Sequence, residues 1–200
     1  MTLEKLFEKY GHVEVFVVED SMLSPYHDKG WEGLSYEEVE KTLWDMGEFI
    51  PRYRAEIDRG YRQVIPYCVL MCQDKIFATR RLDGDARLVG KYSIGIGGHI
   101  EKEDGKGASL IRQGLRRELD EEVDIGAQVE ALEILGYIYM DESPVDSVHY
   151  GIAYGMHLDN FDVEVKEKDT LEGRWYTKPE LNAFKDDLED WSLYCIEHLL

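Results

Sequence analysis

The chain has 200 residues, of which 42 are Asp or Glu and 23 are Lys or Arg, giving a formal net charge of −19. This excess of acid disfavours nucleic-acid polymers and anionic membrane surfaces, because proteins bind both through Lys and Arg. With 44% hydrophobic residues the chain can bury a substantial core, and three cysteines are too few for a disulfide framework. No apolar run approaches the roughly 20 residues of a membrane span. The composition therefore predicts a soluble, cytoplasmic, globular protein.

The N-terminal part is predicted to contain one strand and one helix. Residues His12 to Glu19 (HVEVFVVE) are β-branched and aromatic, which is typical of a strand. Ser35 opens a capping box, and apolar residues recur at helical spacing as far as Ile50, so a helix is expected to begin there. Pro51 should interrupt or end it. We interpret residues 1–61 as an extension that either caps a pocket or forms a homodimer face.

Residues 62–200 are predicted to form the main domain, in which strands and helices alternate. Strands are expected at 63–72 and 75–81, joined as a hairpin, and at 92–100, 132–140, 147–158 and 173–177. Helices are expected at 109–123, from 178 onward, and at 187–200. This order predicts an α/β (α+β) fold with a mixed sheet between helices.

The helix predicted at 109–123 carries a cluster of carboxylates. Glu118, Glu121 and Glu122 stand at i, i+3 and i+4, so their side chains converge on one face, and apolar residues occupy the other. Carboxylate oxygens are the ligands that hard divalent cations such as Mg²⁺ and Mn²⁺ prefer. The alternative is a solvated acidic face on an acidic protein.

A glycine-rich strand precedes this helix in the sequence YSIGIGGHIE. Gly97 and Gly98 allow the backbone to approach a ligand closely. Together with RELDEE, which begins at Arg117, this segment resembles the box of the Nudix hydrolase family, G-x5-E-x7-R-E-U-x-E-E-x-G-U, where U is aliphatic. The resemblance covers residues 62–185, and the whole chain resembles bacterial proteins described as predicted MutT-family phosphoesterases.

Three departures from the box are visible. The segment Gly98-x5 reaches Asp104 rather than Glu, and the loop that follows is five residues longer than the box allows. Asp124 stands in place of the closing glycine, and it can still adopt the left-handed conformation that ends a helix, at some cost.

The family resemblance implies an α/β/α sandwich and a hydrolase that cleaves a diphosphate linkage in a nucleoside diphosphate derivative or related small organic pyrophosphate. It implies that Mg²⁺ or Mn²⁺ binds the catalytic residues Glu118, Glu121 and Glu122 and the Gly97 carbonyl. Arg117 is then a positioning residue for the glutamates. The resemblance implies three further supporting residues: Gly98, Glu101 and Asp104. Either Glu101 or Asp104 is the candidate ion-pair partner of Arg117.

Further residues are candidates for substrate binding or proton transfer. A basic run precedes the glycine strand and either holds the outer phosphate or is ordinary surface charge: Arg80, Arg81, Arg87 and Lys91. Two histidines either contact substrate or are structural: His99 and His149. The general base is Glu121 or Glu122 itself, or one of three later carboxylates: Glu142, Glu167 and Glu172.

Two other functions use the same scaffold. An isopentenyl-diphosphate-isomerase-like enzyme needs a reactive cysteine, for which Cys68 and Cys72 are available in an early strand. A non-catalytic nucleotide-ligand sensor would not require three clustered acids.

Overall fold

The structure, a computed structural model, describes residues 3–26, 31, 33–83 and 89–200. The helices are α1 Leu3–Tyr10, α2 Asp20–Leu23, α3 Tyr36–Met46, α4 Arg52–Ala55, α5 Leu110–Glu122, α6 Lys178–Ala183 and α7 Asp190–His198. The strands are β1 Glu14–Glu19, β2 Gly47–Pro51, β3 Tyr61–Cys72, β4 Lys75–Arg81, β5 Tyr92–Ser93, β6 Gly95–Gly97, β7 Val123–Ile125, β8 Val129–Ile138, β9 His149–Leu158, β10 Val163–Val165 and β11 Leu171–Thr177. In the described part of the chain, every helix is too short or too polar to cross a membrane.

The chain folds into two compact units. The first comprises Met1–Pro66, Gly98–Arg116 and Tyr139–Ile152, and the second comprises Tyr67–Gly97, Arg117–Ile138 and Ala153–Leu200. The predicted division between an extension at 1–61 and a domain at 62–200 does not follow these units and stays a prediction.

In the first unit, β1 is the central strand. It pairs antiparallel with β2, where Phe16 lies opposite Phe49, and with the start of β3, where Val18 lies opposite Arg62. The capping box at Ser35 is present, with both reciprocal hydrogen bonds formed. The predicted helix is therefore confirmed at its beginning.

The predicted helix was wrong beyond Met46, because residues 47–51 form strand β2. Gly47 has extended dihedral angles, and a Cβ at that position would lie 2.1 Å from the ring of Phe16. The apolar residues Phe49 and Ile50 satisfy a helical period as well as a strand. Residues 47–51 form a strand and not a helix because the backbone N–H and C=O groups along this edge of β1 need hydrogen-bond partners.

In the second unit, β4 is the central strand. It pairs antiparallel with the end of β3, with β5 and with β11. The hairpin between β3 and β4 is confirmed, and its turn places Gln73 at a positive φ of 54°. Residues 67–69 of β3 pair with β6, so that Tyr67 lies opposite Gly97. The glycine strand is thereby fixed next to the core of this unit.

Helix α5 ends one residue earlier than predicted, and this changes the expectation for Asp124. Val123 begins β7, which pairs antiparallel with β10, so that Asp124 lies opposite Glu164. Asp124 is therefore extended, and it does not adopt the left-handed conformation that was open to it. Pairing with β10, a strand that the sequence analysis did not predict, satisfies the backbone groups that a left-handed cap would otherwise have served.

Candidate active site

The acidic part of α5 lies in the second unit. Leu119, between the glutamates, is buried, whereas the side chain of Glu118 is 14% exposed and that of Glu121 is 59% exposed. Arg117 donates from Nη1 to Glu118 Oε1 at 2.7 Å and reaches Glu121 at 3.4 Å. The predicted convergence of the carboxylates brings both of them to one guanidinium, which holds them in place.

The end of α5 is fixed by contacts with the segment that follows β10. The backbone N–H of Lys166 donates to the carbonyl of Glu122 at 2.9 Å, and its ammonium group donates to the carbonyl of Asp120. These bonds satisfy carbonyls that a helix end leaves without partners. Glu122, the last residue of the helix, is therefore held at a defined position.

Glu122 lies in an environment that disfavours its charged form. Burial raises the pKa of its carboxyl group to about 7, and the neighbouring charges of Glu118, Glu167 and Glu121 add to the effect, whereas Arg81 opposes it. A carboxyl group whose pKa is raised by burial and by neighbouring carboxylates is typical of a functional site.

Glu122 faces a cavity of about 140 Å³ within the second unit. The residues that line it include Tyr67, Arg81, Lys91, Gly97, Glu122 and Glu189. The cavity therefore brings together an acidic residue of α5, the glycine strand and two members of the basic run, which the sequence places far apart.

Arg81 is the basic residue most clearly directed at this cavity. Its Nε is buried and has no hydrogen-bond partner within the described part of the chain. A buried, charge-bearing donor without a partner is costly, so an anionic group in the cavity would stabilise it. Lys91 also lines the cavity, and its ammonium group donates to the carbonyl of Asp186 at 2.7 Å.

Arg80 is exposed, in contrast to its neighbour. Successive side chains of a strand point to opposite faces, and the guanidinium of Arg80 lies over the ring of Tyr92, 5.4 Å from its centroid. Arg80 is therefore not among the cavity residues. Arg87 lies outside the described residues.

One wall of the cavity depends on Tyr67 and Gly95. The hydroxyl of Tyr67 hydrogen-bonds Ser192 at 2.8 Å and Ser93 at 3.1 Å, and it accepts from the N–H of Gly95 at 3.0 Å. A Cβ on Gly95 would lie 2.2 Å from the Tyr67 ring, so only glycine permits this approach. Burial raises the pKa of Tyr67, which therefore stays protonated at neutral pH.

Glu189, at the beginning of α7, is a cavity residue that sequence reasoning missed. Burial raises the pKa of its carboxyl group, and the charges of Arg81 and Lys91 lower it. Its backbone N–H donates to the carbonyl of Tyr92 at 2.9 Å, which anchors α7 beside β5. No sequence motif marks it, since only the fold brings it next to the glycine strand.

The three later carboxylates proposed as the base lie in different surroundings. Glu167 acts electrostatically on Glu122, and its carboxylate accepts a hydrogen bond from Thr170 at 3.0 Å. Glu172 is ion-paired with Arg174 at 2.5 Å on β11. Glu142 belongs to the first unit, where it accepts from the N–H of Asp141 at 2.8 Å. Glu167 is thus the one of the three whose charge acts directly on Glu122.

The remaining predicted residues lie in the first unit. Glu101 and Asp104 cap a short 3₁₀ turn, Lys102–Asp104, in which the N–H of Glu101 donates to Asp104 Oδ2 at 2.8 Å. Gly98 and His99 lie just before this turn. The supporting roles of Gly98, Glu101 and Asp104 stay predictions.

The residues of α5 fit a divalent cation by their chemistry. They offer hard carboxylate oxygens, and the pKa of Glu122 is raised first by burial and then by the charge of Glu118, both of which a bound cation would offset. In the described part of the chain, no three His, Cys, Asp or Glu side chains are already gathered around one point in metal-binding geometry. The carboxylates held by Arg117 would therefore have to reorient to bind a metal.

The cysteines are poorly suited to catalysis. Cys68, Cys72 and Cys195 are free and buried. Burial raises the pKa of Cys68 to about 12, so the reactive thiolate is scarce at neutral pH. Cys68 is therefore unsuited to be the reactive cysteine that the isomerase alternative requires.

Similar proteins point to one family. No protein-family model matches the chain. It is 35% identical over 180 residues to Protein YmaB of Bacillus subtilis strain 168, covering 82% of this chain and 86% of that protein. It superposes on the crystal structure of Tm1382, which is described as a proposed Nudix hydrolase, with a TM-score of 0.78 and 33% identity over 94% of this chain and 98% of that one.

A more distant structure shares the fold. The NUDIX domain of Shewanella oneidensis NrtR, solved in complex with ADP ribose, superposes with a TM-score of 0.54 and 15% identity over 68% of this chain and 84% of that one. These superpositions confirm the predicted Nudix-type α/β fold.

Proposed function

The chain belongs to the Nudix hydrolase family, and from this premise we propose that it uses a divalent cation to cleave a diphosphate linkage in a nucleoside diphosphate derivative or related small organic pyrophosphate. Nudix hydrolases act on pyrophosphate bonds, so the chain is a hydrolase of that class. The observation that carries the finer proposal is the cavity shared by Glu122, Gly97, Arg81 and Lys91. It combines acidic groups for a cation with basic groups for a phosphate.

The proposed cation is Mg²⁺ or Mn²⁺, held by Glu118, Glu121, Glu122 and the carbonyl of Gly97. When bound, such a cation neutralises diphosphate oxygens and lowers the pKa of water. Glu122 is the ligand whose protonation is most sensitive to this charge, because its pKa is raised to about 7. Arg117 pairs with Glu118 and Glu121 in the absence of a cation, and these ion pairs would have to open for the two carboxylates to bind one.

Arg81 and Lys91 are proposed to bind a phosphate group of the substrate. The unpartnered Nε of Arg81 supports this role, because a phosphate oxygen would accept its hydrogen bond. Lys91 adds a second positive charge, and its bond to the Asp186 carbonyl restricts its position. Arg80, although predicted with them, has no comparable support.

Glu167 and Glu189 are proposed as candidates for the general base. Glu167 acts on Glu122 electrostatically, and Glu189 lines the same cavity with a pKa raised by burial. A carboxylate whose pKa lies nearer neutrality is a better proton acceptor for an attacking water than an exposed one. Glu172 is less suited, because Arg174 neutralises it.

The NUDIX domain of NrtR was crystallised with ADP ribose, which supports including a nucleoside diphosphate derivative among the first substrates to test. The purified protein should be incubated with Mg²⁺ or Mn²⁺ and nucleotide sugars, ADP-ribose, dinucleoside polyphosphates, NADH and (d)NTPs. Products are separated by ion-exchange chromatography. Cleavage of a diphosphate linkage in at least one compound, dependent on the cation, is expected.

The matched variants are Glu121→Gln and Glu122→Gln, with Glu133→Gln as the control. Glu133 is an exposed carboxylate on β8 that pairs with His157 at 2.8 Å. Loss of a ligand should lower activity at least about 10- to 100-fold, whereas the control should keep it. If neither Gln variant loses activity or metal binding, the proposal fails.

The general base is identified in a separate experiment, from the pH profile of kcat in Glu167→Gln and in Glu189→Gln.

The cellular setting stays a prediction. The free, buried cysteines agree with a reducing cytoplasm, where we expect the protein. A homodimer formed through residues 1–61 is also proposed, and sedimentation of the full chain would test it.

A further inference from the structure

A buried polar cluster in the first unit is not used by the site described above. Four segments contribute to it: Glu56 follows α4, Gln63 lies on β3, His99 follows β6, and His149 begins β9. Gln63 is fully buried and His149 is 7% exposed, while the side chains of His99 and Glu56 are 17% and 20% exposed. The cluster is thus mostly buried, and two of its four side chains are partly exposed to solvent.

The two histidines face each other through their Nε2 atoms, which are 3.2 Å apart. Nδ1 of His149 donates to the carbonyl of Val145 at 2.7 Å. This bond fixes the tautomer and leaves a lone pair on Nε2, an arrangement found in metal-binding histidines. Burial lowers the pKa of His149, so the ring stays neutral and keeps that lone pair.

The hydrogen bonds available in the cluster do not satisfy it. Nε2 of Gln63 lies 3.2 Å from Nε2 of His149, so the amide and His99 both approach a single lone pair. The other end of the same amide, Oε1 of Gln63, is buried without a hydrogen-bond partner. A buried acceptor without a hydrogen-bond partner destabilises the folded chain.

We propose that His99 and His149 bind a divalent transition-metal cation of the Zn²⁺ class through Nε2, with the amide oxygen of Gln63 as a third ligand. Two nitrogens held about 2.0–2.1 Å from a tetrahedral cation lie roughly 3.3 Å apart, close to the observed spacing. The distance between the Gln63 amide and His149 is the same. Rotation of the amide by half a turn exchanges its oxygen and nitrogen, so that Oε1 takes the position next to His149 and can bind the cation, while the NH₂ group takes the position that Oε1 leaves.

Glu56 is the fourth ligand of the proposed site. Its Oε1 lies 3.9 Å from Nε2 of His99 and 3.2 Å from Nε of Arg52. A cation would compete with Arg52 for this carboxylate, which must move closer to bind. The negative charges of Glu56 and Asp146 favour a cation here, and Arg52 opposes it.

The ligand set distinguishes this site from the carboxylates of α5. Imidazole nitrogen suits Zn²⁺, Co²⁺ and Ni²⁺, whereas carboxylate oxygen suits Mg²⁺ and Mn²⁺. The two sites can therefore be titrated separately, and the proposal does not depend on the hydrolase activity.

The test is a titration of chelator-treated protein with Co²⁺, followed by visible d–d absorption, with Zn²⁺ added afterwards as competitor. His99→Gln and His149→Gln are compared with His157→Gln, which changes a partly exposed histidine on β9. The wild type and this control should bind Co²⁺ and release it to Zn²⁺. Each ligand variant should bind at least about tenfold more weakly.

Two results would overturn the proposal: no visible Co²⁺ spectrum in the wild type, or unchanged Co²⁺ affinity in His99→Gln. His149 is buried, so its substitution could unfold the protein. Circular dichroism checks each variant, and the partly exposed His99 carries the test if His149→Gln does not fold.

Discussion

Glu122 makes the metal-free protein less stable as the pH rises, and Glu122→Gln should remove this effect. The carboxyl group has a pKa of about 7 in the folded chain and 4.5 as the reference value for an unfolded one. Between these values the native state binds more protons than the unfolded state, so the free energy of unfolding falls as pH rises. Glutamine is neutral throughout and does not contribute to this loss.

The size of the effect follows from the two pKa values. Their difference, at 1.36 kcal/mol for each pH unit, amounts to about 3 kcal/mol. Because the side chain is partly in contact with solvent, we expect about 2 kcal/mol. Glu122→Gln should therefore be more stable than the wild type by about 2 kcal/mol at pH 8, with a smaller difference at pH 5.

The assay is urea unfolding at pH 5 and pH 8 in the presence of a chelator, with equal m-values required for comparison. Glu121→Gln, which keeps Glu122 and changes a more exposed carboxylate of the same helix, is the control and should show a pH dependence close to that of the wild type. Saturating Mg²⁺ at pH 8 should stabilise the wild type more than Glu122→Gln. An identical pH dependence in wild type and Glu122→Gln would refute the reasoning.

Three further predictions concern the cavity and a helix start. Arg81→Leu should lower kcat/KM on any cleaved diphosphate about 10- to 100-fold, because a charged hydrogen bond to phosphate is lost. The control Arg80→Leu should change kcat/KM little. Equal effects of the two substitutions would contradict the assignment of Arg81 to phosphate binding. Gly95→Ala should destabilise the protein by about 1–3 kcal/mol, because its Cβ would lie 2.2 Å from the Tyr67 ring. An unchanged Tm would argue against that contact. Ser35→Ala should cost about 1 kcal/mol in urea unfolding through loss of the capping box, and a variant as stable as wild type would show that the cap contributes nothing.

The acidic helix α5 could be predicted closely from the sequence, whereas the helix that begins after Ser35 was predicted less well. The 3.6-residue period sets which side chains of α5 share a face, and that period is visible within a short window. The helix from Ser35 was overextended, because Phe49 and Ile50 fit either structure and the backbone of β1 decided the outcome. The strand conformation of Asp124 was not predicted for the same reason, since its partner Glu164 lies on a strand that follows much later in the chain.

The sequence by itself determined the chemistry that the chain offers: three glutamates on one helical face, a glycine strand before them and a basic run. Tertiary structure decided which of these residues meet. Strand pairing turns Arg81 into the cavity and leaves Arg80 exposed, and the packing of α7 adds Glu189. The physical reason is that periodicity acts over a few neighbouring residues, whereas hydrogen bonding between strands joins segments whose separation no local pattern records.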